Sequence, residues 1–123
     1  MTKYKIVLVP FPFDDLSSQK VRPAICLTNP IGVHKHLVLA FITSRVPSNP
    51  LPTDMVINRN HPDFKTTGLR TSSTIQVHRL ITVNTTLIRR ELGQLTPTMK
   101  KELDIRLQNL FFEKNVNKTK ESD

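Results

Sequence analysis

Lys20-Val21-Arg22-Pro23-Ala24-Ile25-Cys26-Leu27 sets a charged, extended approach against a continuous apolar run. Proline holds its own φ and disfavours a helical conformation in the residue before it, so Arg22 meets the run extended. The apolar residues Ala24 to Leu27 are strand-sized and read as a buried strand. Arg22 therefore stands at the edge of a buried element, where a rigid scaffold can aim its guanidinium at an anion. The planar fork pairs with two phosphate oxygens at once. A surface arginine that happens to precede a proline is spelled the same way, and this segment alone leaves both readings open.

Working outward, strands come first and a helix comes last. Lys5 to Phe13 is largely apolar but carries Pro10 and Pro12. A proline cannot donate to a ladder, which predicts a strand at a sheet edge or bent there. Asp14 to Gln19 reads as a polar loop. Pro23 to Thr28 is the second strand, ended by Asn29-Pro30-Ile31-Gly32. Leu37 to Thr43 is a third, and Ser44 to Pro52, with prolines at 47, 50 and 52, is an extended loop. Asp54 to Asn58 is a short fourth strand, Asn60 to Asp63 turns the chain, and Lys65 to Gly68 continues as loop. In the fifth strand, period two sets Ser73, Ile75 and Val77 opposite Thr74, Gln76 and His78. Asn84 caps a short helix over Thr85 to Arg90, with Gly93 beyond it. Thr96 and Pro97 open a terminal helix in which Met99, Leu103, Leu107, Leu110 and Phe111 form an apolar stripe. The order predicts one mainly β domain over residues 1–113, a small bent β-barrel sealed by a C-terminal α-helix, and a polar, fraying tail over 114–123.

A chain of 123 residues suits one domain. No apolar stretch approaches the ~18 residues of a membrane span. The N-terminus runs straight into a strand pattern without a signal-peptide cleavage region. With Cys26 as the single cysteine, a cytoplasmic protein is expected, and Cys26 reads as a small buried hydrophobe. His34, His36 and His61 lie in loops without convergent carboxylates or thiols, so neither a metal site nor a cofactor is expected. The net charge of +8 is more telling. Ten basic residues lie between Leu16 and Leu95 against three acidic ones, Asp54, Asp63 and Glu91. The excess belongs to the body of the domain, and such a field favours polyanions, each neutralised phosphate releasing counterions. Charge alone fixes neither fold nor activity.

Five segments, in this order, resemble the PemK/MazF-type toxins of bacterial toxin–antitoxin pairs. They are Tyr4 to Phe13, Val21-Arg22-Pro23-Ala24-Ile25, Ala40-Phe41-Ile42-Thr43-Ser44, Gly68-Leu69 to Leu80, and Leu87 to Leu95 with Leu92-Gly93-Gln94-Leu95 before the terminal helix. Together they cover about residues 4–112. The resemblance implies an SH3-like barrel, a homodimer, and metal-independent endoribonuclease activity on single-stranded RNA. It also implies a cognate acidic antitoxin as partner, with operator DNA met through the antitoxin complex.

Metal-free RNA cleavage turns the 2′-hydroxyl on the adjacent phosphate. The protein must help move two protons and stabilise a phosphorane-like transition state. The resemblance places a catalytic arginine at Arg22 and a hydroxyl residue at Thr43, and antiparallel neighbours would bring the two strand ends together. Where family members can carry a basic residue and a carboxylate two positions apart, this chain has Gln76 and His78. An imidazole there can exchange a proton near neutrality, which makes His78 the third catalytic candidate. Gln76 can hydrogen-bond a base edge or a phosphate. Lys20, Ser44, Arg45 and Arg79 complete the expected RNA-binding set, through phosphate contacts or guanidinium planes. Phe11 and Phe13 are candidates for base stacking or for the core. Two other classes share the fold: a non-catalytic nucleic-acid-binding barrel, and a protein-directed toxin of the gyrase-inhibitor type.

Overall fold

A computed structural model describes residues 1–11 and 20–112. Its strands are β1 Lys5–Phe11, β2 Lys20–Cys26, β3 His36–Thr43, β4 Asp54–Ile57, β5 Ser73–Asn84 and β6 Arg90–Gln94. A one-turn helix, α1 Phe64–Thr67, lies between β4 and β5, and α2 Pro97–Phe111 follows β6. All pairings are antiparallel, in the order β4-β5-β3-β2-β1-β6, and the sheet curls into a half-barrel carrying the C-terminal helix. The loop expected over Asp14 to Gln19, the side chain of Phe11, Phe13, and the tail over 114–123 lie outside what is described.

The apolar runs are continuous because the middle strands bury both faces. One cluster takes Ile6, Ile25, Leu27, Ala40, Ile42, Ile75 and Val77, and α2 adds Met99 and Leu103 to it. The opposite cluster takes Val7, Val9, Ala24, Cys26, Leu37, Leu39 and Val83. Leu107 and Leu110 pack at the edge of the first cluster, but Phe111 does not join the stripe and is 60% exposed. Tyr4, packed against the same cluster, fastens α2, its hydroxyl 2.9 Å from both carboxylate oxygens of Asp104. Burial, then that hydrogen bond and its charge, push the phenol pKa up. No helix among the described residues is long and apolar enough to cross a membrane.

Local expectations fail where tertiary pairing overrides them. β1 is not an edge strand, since it pairs with β2 on one side and β6 on the other. Its β6 partner ends at Leu8, however, so Pro10 sits where the missing N–H faces no ladder on that side. β2 starts at Lys20 rather than Pro23, paired to Phe11. The helix expected over Thr85 to Arg90 shrinks to a 3-10 turn, Thr85–Leu87, with the Asn84 side chain accepting from Thr86 N as a cap does. Arg89 N donates to Leu8 O and Arg90 begins β6, so this segment is claimed by β1 instead. Lys65 belongs to α1, not to a loop. Thr96 starts α2 as expected, but its hydroxyl donates to Asp63 Oδ2 at 2.8 Å rather than capping the helix.

The curl is closed by a seam of backbone against backbone. Gly68, at φ +74° just beyond α1, lies against the carbonyl of Leu92 in β6. Gly93 lies against the carbonyls of Thr66 and Thr67. A Cβ at either position would overlap these atoms. α1 thus brings the β4 end of the chain onto the opposite edge of the sheet.

Candidate functional site

β2 and β3 pair from Cys26↔Leu39 to Ala24↔Phe41 and no further. Beyond that point β2 follows β1 to Phe11↔Lys20, while β3 follows β5 to Thr43↔Thr74. The fork falls at Pro23, and continuing the register would set Arg22 opposite Thr43. Between the diverging strands lies a cleft of about 840 Å³. Arg22 and Pro23 line one wall, and Phe41 to Arg45 line the other. Gly68 to Thr71, held by the glycine seam, and Arg90 with Leu92 of β6 also line it.

Most of the expected residues meet here. Arg22, Thr43, Ser44, Arg45, Gln76 and Arg79 all line the cleft. Thr43 Oγ1 accepts from Arg45 N at 3.2 Å, and a hydroxyl that accepts still carries its own hydrogen to donate. The buried Thr74 hydroxyl donates to Arg45 O at 2.8 Å, so the turn after β3 is held at both ends of one residue. Arg79 Nη1 donates to Gln76 Oε1 at 3.3 Å, and its guanidinium carbon lies over the Phe41 ring, 5.4 Å from the centroid.

Two expected residues are elsewhere. Lys20 is exposed at the start of β2 and does not line the cleft. His78 is also outside it, with Nδ1 2.8 Å from Thr53 Oγ1. Period two would have kept His78 beside Gln76, but the ladder slips. Phe41 pairs with Gln76, and Ala40 pairs next with Leu80. Val77 to Arg79 are extra residues on β5, a bulge that re-aims side chains. It brings Arg79, an odd number of positions from Gln76, round to the same cleft.

Arg70 and Arg90 were missing from the expected set, although both line the cleft. Arg70 reads locally as a loop residue and Arg90 as the end of a helix, so only the seam and the β1–β6 pairing place them. The one local hint is Gly68, whose left-handed φ turns the chain back just before Arg70. The described lining then holds five arginines, at 22, 45, 70, 79 and 90, and among those residues no Asp, Glu or His. A recess with charge of one sign focuses its field and concentrates anions.

Cys26 takes no part. It is fully buried, and burial, reinforced by Glu91 and opposed by Lys5, pushes its thiol up to about 11. A neutral thiol is a poor nucleophile. Among the described residues no three His, Cys, Asp or Glu side chains gather as a metal site would require.

No curated protein matches the chain by sequence. Solved structures do match it in fold. A Mycobacterium tuberculosis toxin, MazF-mt6, aligns with TM-score 0.66 at 20% identity, covering 87% of this chain and 95% of the other. The MazE–MazF structure from Deinococcus radiodurans (Form-II) gives 0.68 at 18% identity, covering 93% and 97%. An endoribonuclease in complex with its cognate antitoxin, from mycobacterial species, gives 0.67 at 11% identity, covering 93% and 97%. The profile of the PemK-like, MazF-like toxins of type II toxin–antitoxin systems matches residues 2–111. That match spans the sheet, the cleft and α2 together, and the chain belongs to this toxin family.

Proposed function

We propose that this toxin is a metal-independent endoribonuclease that cleaves single-stranded RNA in the β2–β3 cleft. The observation that carries the reading is the fork at Pro23, with Arg22 and Thr43 both lining a recess rich in arginine. The substrate's 2′-hydroxyl attacks the adjacent phosphorus as the bond to the 5′-oxygen breaks; its proton passes to water, and the departing 5′-oxygen takes a proton from water. The products are a 2′,3′-cyclic phosphate and a 5′-hydroxyl. Arg22 spans two phosphate oxygens as charge grows on them, and the Thr43 hydroxyl donates to one. Arg45, Arg70 and Arg90 hold flanking phosphates, with Ser44 beside them. Gln76 and Arg79 meet the nucleotide next to the reacting one.

The test is incubation of purified protein with a long RNA in EDTA, followed by mapping of fragment ends and end-group chemistry. Cleavage with cyclic phosphate ends supports the proposal. Cleavage abolished by EDTA and restored by magnesium refutes it. Arg22→Ala should lower the rate by about 10²–10³-fold in a protein that still folds, as loss of a transition-state donor does. Arg22→Lys should not restore it fully, for want of the fork. His78→Ala should retain cleavage, because that ring is bonded to Thr53 outside the cleft.

In the cell we place the protein as a homodimer neutralised by a cognate acidic antitoxin, with operator DNA bound through the toxin–antitoxin complex. Family membership and the charge of +8 support this assignment. A monomeric mass by light scattering at micromolar concentration would refute the dimer. A second reading, a barrel that binds nucleic acid without cutting it, is favoured by one observation. The described lining offers no carboxylate or imidazole to carry a proton. RNA bound but left intact in the same incubation would decide for it.

A further inference from the structure

The five cleft arginines are not alike. Arg79 has one guanidinium nitrogen on Gln76 Oε1 and lies over the Phe41 ring, which is itself 7% exposed. The residue as a whole is nonetheless exposed and lines the cleft. An arginine fixed by an aromatic on one side and an amide at its rim is held as a small platform.

We infer that Arg79, backed by Phe41 and tethered by Gln76, forms a stacking subsite for one unpaired nucleobase beside the scissile phosphate. This deepens the ribonuclease reading and rests on it. Three features support a base over another phosphate. Single-stranded RNA is recognised by splaying bases onto aromatic or guanidinium planes. The described residues supply no exposed tryptophan or tyrosine in the cleft to do this, whereas the supported arginine can. The subsite is also in the right place. Phe41 precedes Thr43 by two residues on β3, about 6.6 Å at ~3.3 Å per residue, so the platform flanks the phosphate held by Arg22 and Thr43. The β5 bulge is what makes the subsite: in a regular ladder Gln76 and Arg79 would point to opposite faces.

The subsite predicts a position-specific dependence on a base. The probe is a single-stranded RNA oligonucleotide carrying the mapped cleavage site, with a 2′-deoxy nucleotide at the attacked position to block turnover. An abasic residue is moved through it one position at a time, and affinity is read by fluorescence anisotropy. Wild type should lose about 10-fold or more when the abasic residue occupies one nucleotide next to the blocked position, the scale of one base–platform stack. Arg79→Lys keeps the charge and loses the plane. It should bind the complete oligonucleotide about 10-fold more weakly and should no longer distinguish the abasic one at that position. Phe41→Leu, which keeps an apolar residue in place, should give the same loss of discrimination if the ring backs the platform. 2-Aminopurine at the same position should be quenched by wild type and not by Arg79→Lys. If Arg79→Lys keeps the full positional penalty, the subsite is elsewhere and the inference falls. If the penalty is absent in wild type, Arg79 is a phosphate contact and the inference also falls. Both results leave the ribonuclease reading standing. Failure of wild type to bind the complete oligonucleotide overturns that reading and the subsite with it.

Discussion

Replacing each of three glycines by alanine separates two costs that the seam combines. Gly32 and Gly68 share a φ of +74°, but a Cβ at Gly32 meets nothing within 4 Å, while one at Gly68 meets the Leu92 carbonyl. Gly93 has the overlap, against Thr66 and Thr67, without the left-handed φ. Gly32→Ala should therefore report the backbone term alone. That term is a left-handed cost of roughly 1–2 kcal/mol, partly offset by about 0.4–1 kcal/mol from a stiffer unfolded chain, for a net loss near ~1 kcal/mol. Gly93→Ala should report overlap less the same unfolded-chain offset. The atoms struck are backbone and cannot rotate away, which sets the overlap at the upper end of overpacking costs, about 3 kcal/mol, and the net loss at about 2–2.6 kcal/mol. Gly68→Ala carries both, about 4 kcal/mol. At roughly 4 °C per kcal/mol for a domain of this size, melting should fall by about 4, 9 and 16 °C in that order. Urea midpoints at constant slope give the same ranking independently of temperature. RNA affinity should follow the seam: Gly68→Ala and Gly93→Ala part β6 from α1 and shift Arg70 and Arg90, while Gly32→Ala leaves the cleft as it is. Equal stability of the Gly32 and Gly68 variants would refute the reasoning, since the two differ only in what the Cβ would strike.

Three further outcomes follow from particular side chains. Cys26 keeps its proton in the folded protein until about pH 11 against 9.0 for an ordinary thiol, so stability should decline as pH rises between those values. The loss is on the order of 2–3 kcal/mol, and Cys26→Ala should remove that part of the slope in urea titrations at stepped pH. Leu103→Ala should cost about 2–5 kcal/mol because the side chain is fully buried, whereas Phe111→Ala should stay within about 0.5 kcal/mol. Equal losses would show that the stripe continues to Phe111 after all. The logarithm of RNA affinity should fall linearly with that of salt concentration. Arg70→Ala and Arg90→Ala should each flatten the slope by about 0.7, one single-strand phosphate contact apiece. An unchanged slope would remove that arginine from the phosphate path.

The strands and the terminal helix were legible because their signals are local: apolar runs, Thr96-Pro97, and helical spacing through Met99 and Leu103. That Arg22 and Thr43 line one cleft was legible for a different reason. Both lie at ends of neighbouring strands, and antiparallel pairing alone suffices to bring such ends together. What escaped depends on contacts distant in sequence. β6 was hidden because Arg90 to Gln94 is a strand only by virtue of β1, and Arg70 and Arg90 were hidden with it. His78 was misplaced because alternation is a rule for regular strands. The register slip between Ala40 and Phe41 leaves no mark in the spacing of the β5 side chains themselves.

Burial of the sheet on both faces has a consequence for how the chain finds its alignment. In a sheet with one wet face, sliding a strand by one residue drives polar groups inward, and solvation rejects the error. Here a slip of β2 would merely exchange Ala24 and Cys26 with Ile25 and Leu27, apolar for apolar. Solubility of the side chains is then a weak proofreader, and volume must take over: one cluster receives β2's branched residues and the other its small ones. Substitutions that even out those sizes, such as Ala24→Val with Ile25→Val, would leave hydrophobicity almost untouched while erasing the difference by which the two alignments are told apart. Accuracy of the cleft at Arg22, only two positions from Ala24, rests on that contrast in size.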